Sequence, residues 1–235
     1  QGQAGAAAAA ETIHARADDS CHGRGTTLVT PLADRDGAVG VERTPLDAIA
    51  QRFGTPCYVY SKAALVDAFG QYRAAFGACD HLILYAVKAN SNLAILKLFA
   101  GLGSGFDIVS GGELARVLAA GAGPSPIVFL GGGKSRAEIE QALAARIHCF
   151  NVESEPELDR LSKLAGFSGC TANVSVRVNP DVDARTHPYI STGLRENKFG
   201  VPHDQAVALY RKASRLPGLH VAGIGCHIGS PLPST

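Results

Sequence analysis

The feature that most constrains this chain is a repeat in which short apolar runs alternate with amphipathic segments of helical length. The runs occupy residues 82–87, 106–109, 127–130, 147–152, 174–178 and 221–226. Each is too short for a helix and most are rich in β-branched residues, the signature of strands buried on both faces. Between them lie segments 93–100, 112–120, 136–145, 155–165 and 205–214, with apolar residues at helical spacing. Ser110, Ser135 and Ser154 introduce three of these, each followed three places on by Glu113, Glu138 or Glu157, the pattern of a capping box. The first five strands begin about 20 to 27 residues apart, the size of a compact strand–helix unit. Such alternation predicts a parallel sheet with right-handed crossovers. Six strands of this kind satisfy an open doubly wound sheet, and they also make up most of a (β/α)8 barrel, so pattern alone leaves both architectures open.

The flanking sequence is less regular. Residues 1–27 are rich in small residues without apolar periodicity, so residues 1–33 read as a disordered or poorly packed leader. Pro45 opens a short helix over 46–52, Gly54 ends it, and residues 57–60 read as a strand. Ser61 then caps a helix carrying Ala64, Leu65, Ala68 and Phe69 on one face. Residues 179–199 insert a long polar, turn-rich stretch, of the sort that in compact domains is usually functional.

Composition narrows the partners. The 22 basic and 21 acidic residues are dispersed along the chain, giving no electrostatic footprint for nucleic acid or an anionic membrane. No apolar run approaches the ~20 residues of a membrane-spanning helix. Six scattered cysteines form neither a CxxC nor a ligand cluster, which argues for reduced, mostly buried thiols and no metal, and residues 1–11 carry neither the basic nor the Leu-rich part of a secretory signal, so a cytoplasmic location is expected.

In either architecture, binding groups sit beyond the carboxyl ends of the strands. Lys88 follows the first strand, Asp107 lies in the second, Gly131-Gly132-Gly133 and Glu153 follow the third and fourth, Arg177 and Asn179 end the fifth, and His227 and Ser230 follow the sixth. Read as residues alone, Lys88 is far more often a solvated strand-end lysine and His227 more often a core or loop histidine, while Arg177 with Asp107 is as readily a structural ion pair. Gly131-Gly132-Gly133-Lys134-Ser135 is not a nucleotide phosphate loop, because the first glycine of that motif falls on Val128.

The segments Phe53-Gly54-Thr55-Pro56-Cys57-Tyr58-Val59-Tyr60, Tyr85-Ala86-Val87-Lys88-Ala89-Asn90, Asp107-Ile108-Val109-Ser110-Gly111-Gly112-Glu113-Leu114, Arg177-Val178-Asn179-Pro180-Asp181 and His227-Ile228-Gly229-Ser230 together resemble the diaminopimelate decarboxylases in order and spacing. The stretch Arg185-Thr186-His187-Pro188-Tyr189 and the later Asn197-Lys198-Phe199-Gly200 point to that branch rather than to ornithine decarboxylases or alanine racemases. The resemblance implies a fold-type III pyridoxal-phosphate enzyme: a (β/α)8 TIM barrel with a C-terminal β-domain, homodimeric at full length, acting on a small amino acid. It implies that Lys88 carries pyridoxal 5'-phosphate through its amine, that Asp107 lies beside it, that Arg177 belongs to the polar network beneath the cofactor, that His227 stacks on the ring and that Ser230 helps hold the phosphate. His187 would border the substrate pocket. The reaction implied is decarboxylation of meso-2,6-diaminopimelate to L-lysine. Alternatives are decarboxylation of another diamino acid or a carboxylated polyamine, and a non-catalytic remnant that only binds the cofactor. The family's glycine-rich phosphate loop and Glu-Pro-Gly-Arg segment do not follow Ser230. The expectation is therefore an incomplete cofactor-binding barrel over residues 34–235, truncated after about six strands, lacking the β-domain and inactive or unstable alone.

Overall fold

The computed structural model of the chain describes residues 12–13, 32–35, 38–180 and 199–227. Its residues group into two compact units, one of 15–81 and the other of 1–14 with 82–235.

In the larger unit, β1 (Thr12–Ile13) lies antiparallel to β5 (Ile83–Ala86). In the smaller, β2 (Leu32–Arg35), β3 (Ala38–Val41) and β4 (Thr44–Pro45) form an antiparallel sheet, followed by α1 (Leu46–Phe53) and α2 (Lys62–Phe76). The Ser61 hydroxyl caps α2 by accepting from the Ala64 N–H at 3.0 Å. It donates in turn to the Glu42 carboxylate, which also accepts from the Ala63 N–H. These bonds hold the Glu42 carboxyl below its ordinary pKa, the Ala63 N–H foremost and the Ser61 hydroxyl next. The strand expected at 57–60 does not form. Those residues pair with no strand among the described residues, and Tyr58 is 91% exposed. Their β-propensity has no adjacent ladder to act on, which is how tertiary context overrides propensity in strands.

The larger unit carries the repeat. From β5 the chain runs through a 3-10 turn (Val87–Ala89), α3 (Leu93–Gly101), β6 (Gly105–Ile108), α4 (Gly111–Ala119), β7 (Ile127–Phe129), α5 (Arg136–Ala145), β8 (Cys149–Val152) and α6 (Glu155–Phe167). It continues with β9 (Ala172–Asn179), β10 (Val201–Pro202), α7 (His203–Ala213) and β11 (Leu219–Gly225). Strands β5 to β9 pair in sequence order, all parallel, and β10 and β11 both pair parallel with β9. The six parallel strands expected are thus present as β5 to β9 and β11, each within a few residues of its sequence run.

Burial follows the expectation in β5 to β8, where every residue is buried. Leu84, Val128 and Cys149 form one cluster across three of these strands, with Leu82 and Leu130 packed against it. Burial in that cluster pushes the Cys149 thiol up to about 12. Gly105 makes the arrangement possible, since a Cβ there would collide with the Leu84 side chain and the Pro126 carbonyl oxygen. In β11 the expectation fails: alternate residues are exposed, Ile224 at 62%. Among the described residues this strand pairs with β9 alone, with a register shift between Val221 and Gly223, and its alternating burial is that of a strand with one face covered.

The reading of every thiol as reduced is corrected at Cys79, which is disulfide-bonded, while Cys57, Cys149, Cys170 and Cys226 are free. Among the described residues no helix is long and apolar enough to cross a membrane.

Candidate active site at the carboxyl ends of the strands

Parallel pairing puts the ends of β5, β6, β8, β9 and β11 on one rim. Lys88 sits one residue past the buried Val87, in the turn that ends β5, and is exposed. The backbone beneath it is tied down. The Tyr85 hydroxyl donates to the Asn90 carbonyl at 3.2 Å, and the Asn90 side chain accepts from the Asn92 N–H at 3.0 Å. From α4, the Arg116 Nε donates to the Ser91 carbonyl at 2.8 Å. Tyr85 is itself held by Phe99, stacked at 4.3 Å, and by Phe106, edge-on at 6.5 Å. An exposed lysine therefore stands on a turn held by hydrogen bonds.

Asp107, 3% exposed, lies in β6 in register with Ala86, two residues before Lys88. Arg177 near the end of β9 donates from Nη1 to the Glu153 carboxylate at 2.9 Å. Their side chains are 13% and 6% exposed. The same guanidinium lies 5.2 Å from the centroid of the Phe199 ring. Gly200 lets the chain pass close by: it has φ +82°, and a Cβ there would stand 3.0 Å from the Arg177 carbonyl oxygen. His227, half-buried, follows β11, whose Gly225 is in register with Arg177. The ion pair the structure gives Arg177 is thus with Glu153. Ser230 and His187 lie outside the described residues.

The three serine-led helices use their glutamates differently. At α5 the box is reciprocal: Ser135 Oγ accepts from the Glu138 N–H, and the Glu138 carboxylate accepts from the Ser135 N–H at 3.0 Å. At α4 the Ser110 side chain caps as expected, but the Glu113 carboxylate accepts instead from the Val109 N–H at 2.7 Å. At α6 Ser154 makes no side-chain cap, and Glu157 turns into the protein to meet Lys134. The expected box is therefore complete only at α5. The bonds from the Gly111 N–H and from Ser135 hold Glu138 below the ordinary carboxylate range.

Glu113 is a rim group that its sequence position disguised as a cap. Desolvation pushes its carboxyl above the ordinary value, against the opposing pull of the Val109 N–H and the positive charge of Lys88. A raised acid binds its proton more tightly folded than unfolded. Its contribution to stability is then present below the unfolded value near 4.5 and is lost as pH rises through the higher folded value. Replacing it, Glu113→Gln, is expected to flatten that part of the stability profile. Urea midpoints of parent and variant between pH 4 and pH 7 should converge at the acid end and diverge in the variant's favour above it.

Whether these groups suit pyridoxal phosphate is answered by their chemistry. A carbonyl cofactor with an anionic tail needs an accessible amine on a fixed backbone, and polar groups that hold its ring and charge. Lys88 is exposed on a hydrogen-bonded turn, and Asp107, Glu113, Arg177 and His227 are polar groups on the same rim.

Comparison with known proteins agrees. Residues 62–234 match the family model described as pyridoxal-dependent decarboxylase, pyridoxal binding domain. The diaminopimelate decarboxylase of Neisseria meningitidis serogroup A is 60% identical over 191 residues, covering 81% of this chain and 47% of that enzyme. That of Vibrio cholerae is 59% identical, covering 84% and 47%. Among solved structures, diaminopimelate decarboxylase from Helicobacter pylori complexed with L-lysine is similar at a TM-score of 0.78 and 47% identity, over 80% of this chain and 48% of that one. The chain thus spans about half the length of the curated relatives it matches.

Proposed function

We propose, from the premise that this chain belongs to the family of pyridoxal-dependent decarboxylases and carries their pyridoxal-binding domain, that the protein decarboxylates meso-2,6-diaminopimelate. The reaction breaks one bond between a carboxylate and its α-carbon, releases CO2, and places a proton where the carboxylate stood, giving L-lysine. The observation that carries the reading is the exposed amine of Lys88 on its anchored turn at the end of a wholly buried strand. Relatives at about 60% identity that bear this enzyme's name support the choice of substrate.

Bound at this rim, pyridoxal 5'-phosphate would supply an electron sink for the pair left behind by CO2. Lys88 would hold the cofactor through its amine. Asp107 would stand beside that lysine, Arg177 with Glu153 would form the polar floor beneath the cofactor, His227 would stack on its ring, and Ser230 would help hold its phosphate. His187 would border the substrate. Residues 34–235 are read as the cofactor-binding barrel portion, preceded by a leader of residues 1–33. A cytoplasmic homodimer belongs to the same reading.

The test uses the full-length protein with pyridoxal phosphate and meso-diaminopimelate. Equimolar CO2 and L-lysine are expected. Release of CO2 only from a different diamino acid would move the assignment to a related decarboxylase, and no CO2 from any of them would end the enzymatic reading.

A further inference from the structure

Behind the rim lies a set of charged groups that the proposed chemistry does not use. Lys134, in the loop between β7 and α5, is only 4% exposed. Its ammonium has three donors, and all three are engaged: the Gly131 carbonyl at 2.6 Å, the Asn151 carbonyl at 2.8 Å and Glu157 Oε1 at 2.6 Å. One side chain thereby ties the loop after β7 to strand β8 and helix α6. Its own backbone carbonyl accepts from Arg160 Nη1 at 3.0 Å. The second oxygen of Glu157 accepts from the Glu153 N–H at 3.0 Å. Glu153 is the residue whose carboxylate receives Arg177. A continuous line of hydrogen bonds thus runs from a buried ion pair to the rim arginine.

Stability alone does not call for charges here. Burying an ion pair carries a desolvation penalty that often cancels its attraction, and an apolar pair of similar volume frequently serves as well or better. What the charges supply is direction. Each oxygen of Glu157 has a different assigned donor, so the carboxylate has one orientation, and that orientation fixes the backbone from which Glu153 projects.

We propose that Lys134 and Glu157 are positioning residues that fix Glu153 and, through it, the guanidinium of Arg177. The functional weight of this relay rests on the reading of Arg177 as part of the cofactor-binding floor. The relay itself does not.

Glu157→Gln in the full-length protein is the selective test. The amide has the same size but one acceptor oxygen, so it can serve Lys134 or the Glu153 N–H but not both. The guanidinium protons of Arg177 are observed by nitrogen-edited NMR, assigned by their absence in Arg177→Lys. Glu157→Gln should speed their exchange with solvent by roughly tenfold or more, the effect of loosening about one charge-assisted hydrogen bond. In a Glu153→Gln background it should add nothing further. Lys212→Gln, which breaks the ion pairs of α7 with Glu155 and Asp159 on α6, should leave the Arg177 signals where they were. If Glu157→Gln does not fold, Glu157→Asp takes its place: the shorter carboxylate keeps the charge but cannot span both the Lys134 ammonium and the Glu153 N–H, so Arg177 must again exchange faster. Parent-like Arg177 exchange in either variant, or additive effects in the double variant, overturns the relay. Faster exchange with unchanged affinity for pyridoxal phosphate supports the relay and counts instead against Arg177's place in the proposed function.

Discussion

Replacing Lys88 with alanine in the full-length protein is expected to abolish covalent retention of pyridoxal phosphate and to lower turnover by about a thousandfold, within the range typical for losing a group that acts directly in the reaction. The parent, mixed with the cofactor, reduced with borohydride and digested, should yield a modified peptide containing residue 88. The reduction matters because condensation of amine and aldehyde expels water and reverses on dilution, whereas hydride addition makes the new carbon–nitrogen bond permanent. Lys134 is the competing amine near this rim, and the structure separates the two. Lys134 is enclosed, with every ammonium hydrogen committed. Lys88 is exposed on a turn braced by Tyr85 and Arg116. Modification mapped to Lys134 in place of Lys88 would overturn the site, whatever the sequence similarity.

The rim was legible in the sequence because β-branched runs of four to six residues and serine-led helices are local signals, and parallel alternation leaves little freedom in where strand ends point. That rule put Lys88, Asp107, Arg177 and His227 at strand ends, and their roles came from the family resemblance. The partners were not legible. A glutamate three residues after a serine can reach back to the cap, to the N–H one residue earlier, or inward to a cation. Glu138 takes the first course and Glu113 the second, while Glu157 takes the second with one oxygen and the third with the other. Spacing did not separate them, because each stands four residues before a buried apolar residue, Val117, Ala142 or Leu161, yet of the three glutamates only Glu157 is itself buried. A carboxylate on a buried helical face needs a cation, and Lys134 follows three glycines at the end of the neighbouring strand. The exposed alternation of β11 and the unpaired run 57–60 were illegible for the opposite reason. Their residues have the composition of strands, but pairing depends on neighbours that no local pattern specifies.

The largest stability loss is expected at Phe106. It is fully buried in β6 between Gly105, whose bare Cα admits Leu84, and Asp107 on the rim. Its ring meets Tyr85 edge-on, and Tyr85 is the residue that pins the turn bearing Lys88. Phe106→Ala removes the ring's apolar burial and leaves a cavity that the rigid parallel ladder collapses into only partly, which costs about 3–5 kcal/mol. For a unit of this size that is a fall of roughly 6–20 °C in Tm. The same substitution removes the lateral support of Tyr85, so the effect should reach the rim. At a temperature where the variant remains folded by circular dichroism, the amide of Asn90 should exchange faster than in the parent, and borohydride trapping of pyridoxal phosphate on Lys88 should slow. A distant core substitution of comparable cost, Phe150→Ala in β8, where the ring stacks on Phe129 at 6.2 Å, should lower Tm without changing the trapping rate. Equal slowing in both variants would show that the turn responds to global stability and not to the Phe106–Tyr85–Asn90 connection.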